Sequence, residues 1–266
     1  MGKVIHALRQ LSRRFWPVEY RYPALDISLG QRHLHLVGSI HMGTRNMSPL
    51  PGQLINQLQY VDALIVEADI TTGGSPFSDS EVCPPLAERL SAERFQLLEK
   101  LCSELSVDLQ RIDTLPAWQV ALMLQAQQAQ RLGLRADCGI DYQLLQAAKE
   151  RQIKIIELEG PETQLALLKS LPDQGMMLLE DTLQHWHVNA RLLQTMVSWW
   201  LEAPPGSSGK TVLPDTFSSS LSDLLMHQRN QRWCQQLHAL PAGRYILAVG
   251  ALHLYGEGNL PDLLGR

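Results

Sequence analysis

The chain has 266 residues, 45% of them hydrophobic and 19% charged. That apolar content excludes a disordered chain, because it suffices for a packed core. Lys plus Arg is 23 against 27 Asp plus Glu, a net charge of −4, so nothing points to nucleic acid, whose phosphates call for a concentrated basic face. The nearest thing to one is Lys3, Arg9, Arg13 and Arg14, which reads as the solvated side of an amphipathic helix over 3–16. The N-terminus has no apolar run of signal-peptide length, and no stretch of about 20 apolar residues marks a membrane span. Cys83, Cys102, Cys138 and Cys234 form no C-x-x-C pair. They read as reduced thiols, and the expected location is the cytoplasm.

Short apolar runs alternate with helical patterns. A weak strand over 24–29 turns at Gly30-Gln31 into a strong one over 33–37. Residues 50–60 carry helical spacing, and Ala63-Leu64-Ile65-Val66 is a buried strand. Residues 84–104 are helical with a second start at Ser91. A further helix runs from Thr114 to Leu132, with Pro116 near its first turn and Gly133 at its stop. Residues 141–152 read as a crossover helix feeding a strand at 154–158. Helices are expected over 162–170, 175–201 and about 215–238, with a loop at Pro204–Lys210 and a last strand over 245–249. The alternation predicts an α/β protein with a central, mainly parallel sheet. The helical stretches at about 84–135 and 173–240 exceed simple crossovers. They are expected to form a lobe inserted in a single domain spanning 1–266.

The two outer strong strands end alike. Val37-Gly38-Ser39-Ile40-His41-Met42-Gly43 and Val249-Gly250-Ala251-Leu252-His253 each give an apolar strand and then Gly-x-x-His. The inner two end in carboxylates, Glu67 with Asp69, and Glu157 with Glu159. The C-terminal edge of a parallel sheet is where ligands bind. Two imidazoles and a carboxylate there would suit a divalent ion, with His41, His253 and Glu67 as ligands or Glu67 as general base. The same side chains would equally serve a hydrolase without metal, or a rim that only binds a peptide, haem or small ligand. Only one of Glu157 and Glu159 can face the rim; either could instead cap the helix near Pro161. Arg229 could clamp a substrate carboxylate or pair with Glu67. His33, His35, His185, His187 and Ser39 read as structural, and Trp118, Trp186, Trp199 and Trp200 as core.

The ordered set Gly38–Gly43, Val66-Glu67-Ala68-Asp69, Gly139-Ile140-Asp141, Arg229-Asn230 and Val249–Leu254 with Gly256 and Gly258 resembles the TraB/GumN family of the Tiki-like superfamily, its bacterial members in particular. The resemblance covers about residues 24–264. It implies a core related to ChaN-like and erythromycin-esterase-like proteins. It implies a site of His41, His253 and Glu67, with Arg229 and Asn230 as a polar pair on the penultimate helix. It also implies metal-dependent peptidase chemistry with a divalent ion of the Mn, Co or Zn class, acting on a peptide or small-molecule substrate. Many relatives carry a secretion signal or anchor, and neither is evident here.

Overall fold

A computed structural model describes residues 19–71, 81–205, 213–214 and 216–265. The basic N-terminal helix pattern, part of the loop after Pro204 and the expected helix start at 215 lie outside them. Five strands form one sheet: β1 Ala24–Leu29, β2 Arg32–Ser39, β3 Ala63–Val66, β4 Lys154–Glu157 and β5 Gly243–Gly250. Their spatial order is β1-β2-β5-β3-β4. β1 runs antiparallel to β2, closing on the pair Leu29 and Arg32 across the Gly30-Gln31 turn. All other pairings are parallel. The fold is therefore α/β with a mainly parallel sheet.

The apolar runs mark the strands covered on both faces. β3 is buried throughout, as is β5 from Tyr245 to Val249. β4 is an edge strand, flanked by the exposed Lys154 and Glu157. Charged side chains at such an edge discourage further strand pairing.

The longer helices are α1 Gly52–Leu58, α2 Ala92–Leu105, α3 Ala117–Arg131, α4 Ile140–Glu150, α5 Pro161–Lys169, α6 Met176–Gln184, α7 Trp186–Leu201 and α8 Gln228–Ala239. Ser91 caps α2 by accepting from Arg94 N at 3.3 Å. The continuous helix expected over 175–201 is broken at His185 into α6 and α7. The break falls where the chain passes from one core to another. Leu178, Leu179, Leu183 and Trp186 pack in a helical cluster with Leu98, Trp118 and Leu124. Leu192, Met196, Trp199 and Trp200 pack on the sheet with Tyr22, Leu36 and Leu254. The four tryptophans are thus core residues. Likewise the last helix is not uniform: a short turn at Ser219–Ser222 leads through a π-helical turn, Asp223–His227, into α8. Among the described residues no helix is long and apolar enough to cross a membrane.

Candidate active site

The parallel register brings the strand endings to one rim. Ser39 lies beside Gly250 and Val66 beside Ala248 and Glu157. His41 follows β2 by two residues, Glu67 follows β3 directly, and His253 ends a 3-10 turn just after β5. The two Gly-x-x-His segments touch: a Cβ added at Gly38 would lie 3.3 Å from Ala251. A glycine there lets the motifs pack side by side.

His41 is presented by α4. Ile140 N donates to Ile40 O at 2.9 Å. A Cβ on Gly139 would stand 2.2 Å from His41 O, so only glycine permits this approach. Asp141, in the first turn of α4, then meets His41 Nδ1 at 2.9 Å. The Asp141 side chain is buried while the His41 side chain is 66% exposed, with Nδ1 committed to Asp141. The charge and hydrogen bond of Asp141 push the His41 pKa up to about 9, with Glu67 assisting and Arg229 opposing.

His253 is the opposite case. It is buried, 4% exposed, with Trp233 at 4.4 Å between ring centroids. Its Nδ1 lies 2.6 Å from Asn230 Oδ1. Asn230 Nδ2 donates to Gly258 O at 3.0 Å, which fixes the amide with its oxygen toward the ring. Nδ1 therefore carries the proton, and the Nε2 lone pair faces Arg229 Nη1 at 3.4 Å. Burial first, then the charges of Arg229 and His41, push its pKa down to about 4 against the pull of Glu67.

Glu67 and Arg229 form the floor. Glu67 Oε1 accepts from Gly250 N at 2.7 Å; Oε2 accepts from Arg229 Nη2 at 2.5 Å and from Gln164 Nε2 at 3.3 Å. Burial raises the Glu67 pKa. The fields of His253, Arg229 and His41 and the Gly250 hydrogen bond outweigh that, bringing it down to about 2. Glu159 is the second partner of Arg229, taking Nε at 3.0 Å and Nη2 at 2.8 Å. The β3–β4 ladder puts it there, because Glu159 N donates to Glu67 O at 3.0 Å. Arg229 Nη1 also donates to Leu225 O at 3.2 Å. This carbonyl lies in the π-helical turn, where bonding shifts to i→i+5 and frees a carbonyl from its usual partner.

His41, Glu67, Arg229 and His253 thus converge, each shifting the protonation of others. Glu159 and Asp141 join them through direct contacts. Glu157 instead accepts from Asp69 N at 2.6 Å, and Asp69 pairs with Lys149 at 2.9 Å. Ser39 is 1% exposed, its hydroxyl without a hydrogen-bond partner. His35 is buried between Asp26 and Tyr22. Sequence reasoning missed Gln164, which no pattern signals. It also missed Trp233, which the spacing of Arg229 and Trp233 on one helix face would have flagged. Arg229 pairs with Glu67, as one of its two expected roles required. Its other contacts go to Glu159 and Leu225 O, with Nη1 also 3.4 Å from His253 Nε2.

The donors do not fit a His/His/Glu metal centre as they stand. Both Glu67 oxygens are engaged, and a guanidinium stands against His253 Nε2. Among the described residues no group of three or more His, Cys, Asp and Glu side chains is arranged to hold a metal ion.

Fold and site define the class: an α/β protein with histidine, carboxylate and arginine side chains gathered at the C-terminal rim of a parallel sheet. The chain belongs to the TraB/PrgY/gumN family, whose model matches residues 25–266. It is similar to a protein named "Uncharacterized protein YbaP" from Escherichia coli (strain K12), 58% identical over 246 residues, 92% of this chain and 93% of the relative. A protein of the same name from Shigella flexneri matches to the same extent. No solved structure matches.

Proposed function

We propose that the protein is a hydrolase of a peptide or related acyl substrate, working in the cytoplasm through acid–base chemistry of His41 and His253. One arrangement carries the reading: of two imidazoles at one rim, His41 meets the buried Asp141 at 2.9 Å and is pushed up to about 9, while His253 is buried against Trp233 and pushed down to about 4. Titratable pairs split in this way supply an acid and a base together at neutral pH. His253, neutral, accepts a proton from water at Nε2, where the 3.4 Å contact to Arg229 is loose enough to yield. Glu67, held rigidly by Gly250 N and Arg229, orients that water. His41, protonated and open to solvent, donates from Nε2 to the leaving group, with Asp141 fixing the ring.

A second reading has one observation in its favour. Each imidazole is anchored through Nδ1 to an oxygen, Asp141 or Asn230, as metal-ligating histidines commonly are. The test is turnover of peptide and ester libraries by the full chain before and after chelation. The expected result is activity that survives chelation and falls by at least about 100-fold in His41→Ala and in His253→Ala. It should follow a bell with limbs near pH 4 and pH 9. Loss on chelation, reversed by a divalent ion, would move the assignment to the second reading. No turnover on either library would refute both.

A further inference from the structure

We infer that Arg229 is the resident cation of this cleft and masks a latent divalent-cation site made of Glu67, Glu159 and His253. The inference stands apart from the hydrolase reading, because it concerns what occupies the centre, whatever reaction follows.

The argument is a count of donors and acceptors. A guanidinium has five N–H groups in a fixed fork. Here Nε donates to Glu159, Nη2 to Glu159 and Glu67, and Nη1 to Leu225 O, with its last hydrogen toward His253 Nε2. The side chain is only 11% exposed, and its charged end lies 4.6 Å from the centroid of the Trp233 ring. Without it, two carboxylates that are 8% and 4% exposed would face each other beside a neutral imidazole. Among the described residues the only other cation on Glu159 is the half-exposed Arg232 at 3.7 Å. A buried pair of negative charges demands a compensating positive one. Two carboxylates and an imidazole nitrogen are also the donor types of zinc and manganese sites. The chain meets the demand with its own side chain. A metal entering the wild-type cleft must first dislodge a cation held by four acceptors. Once the guanidinium is gone, the acceptors it held on Glu67, Glu159 and His253 are left to an ion.

The experiment measures Zn2+ and Mn2+ binding to the full-length protein by calorimetry, with thermal unfolding in parallel. Wild type should take up no stoichiometric ion and gain no thermal stability from either. Arg229→Met should bind one ion at least about tenfold more tightly than wild type and be stabilised by it. Arg229→Lys, which restores a cation, should refuse the ion again. If Arg229→Met purifies unfolded, refolding on addition of Zn2+, followed by circular dichroism, gives the same support. Failure to bind an ion in the folded variant, or to recover with Zn2+ in the unfolded one, overturns the inference. So does stoichiometric uptake by wild type that is lost in Glu67→Gln. None of these readouts depends on turnover, so failure of the hydrolase reading leaves them intact.

Discussion

Replacing Glu67 by Gln keeps the shape of the side chain and removes its charge. The carboxylate has a pKa brought from 4.5 to about 2 in the folded chain. At about 1.4 kcal/mol per pH unit, that difference stabilises the fold by roughly 3 kcal/mol when Glu67 is ionised. The magnitude is of the same order as removing one partner of a buried ion pair, about 3–5 kcal/mol. It belongs at the lower end, because Glu159 still faces Arg229 and a Gln oxygen can still accept from Gly250 N. The sign follows from the depressed pKa. The contribution is fully present above about pH 4.5 and drains away as the pH falls toward 2. Denaturant unfolding of wild type and Glu67→Gln at a series of pH values reads it directly. The two should differ by roughly 3 kcal/mol at pH 7, keep roughly 1 kcal/mol of that gap at pH 3, and converge only as the pH reaches about 2 and below. A gap that stays constant across that range, or is below about 1 kcal/mol at pH 7, would refute the electrostatic account of Glu67.

Two other substitutions probe the supports of the cleft. Asp141→Asn removes the charge that raises His41, so its pKa, followed by NMR titration of the ring, should drop from about 9 toward 6.5; an unchanged titration would deny Asp141 that role. Gly139→Ala forces a Cβ within 2.2 Å of His41 O and should destabilise the fold by about 1–3 kcal/mol. Gly52→Ala, with nothing within 4 Å of the new atom, should leave stability within about 1 kcal/mol of wild type. Equal melting of the two variants would show the contact at Gly139 to be slack.

Strands are the part of this fold that the chain declares most openly. Tyr245–Val249 and Ala63–Val66 are continuous apolar runs because helices cover both their faces, and such runs are visible without coordinates. Their order is not: no local pattern says that β5 slots between β2 and β3, since that depends on pairings almost the whole chain apart. The rim was legible for the same reason the strands were. His41, Glu67 and His253 sit directly behind them, so naming the strands names the neighbourhood. What stayed hidden were the partners supplied by crossovers. Asp141 reaches His41 only because α4 seats on Gly139, and the choice of Glu159 over Glu157 follows from where the ladder of β3 and β4 stops. The helix break at His185 and the π-helical turn before Arg229 were also invisible. Helical periodicity cannot report that a helix changes the core it serves, or that a single turn widens.

The placement of β5 bears on how the protein is made. A chain emerging in order from the ribosome presents β1 with β2, and later β3 with β4, as two separate ribbons whose inner edges lack a neighbour. They become one sheet only when residues 243–250 arrive, because that strand alone pairs with both. Such late, distant closure makes for slow maturation. Until then the nascent chain displays open edges of the kind that chaperones shield. His253 comes just behind the strand that completes the sheet, so the side chains of the rim are gathered only when the sheet itself is closed.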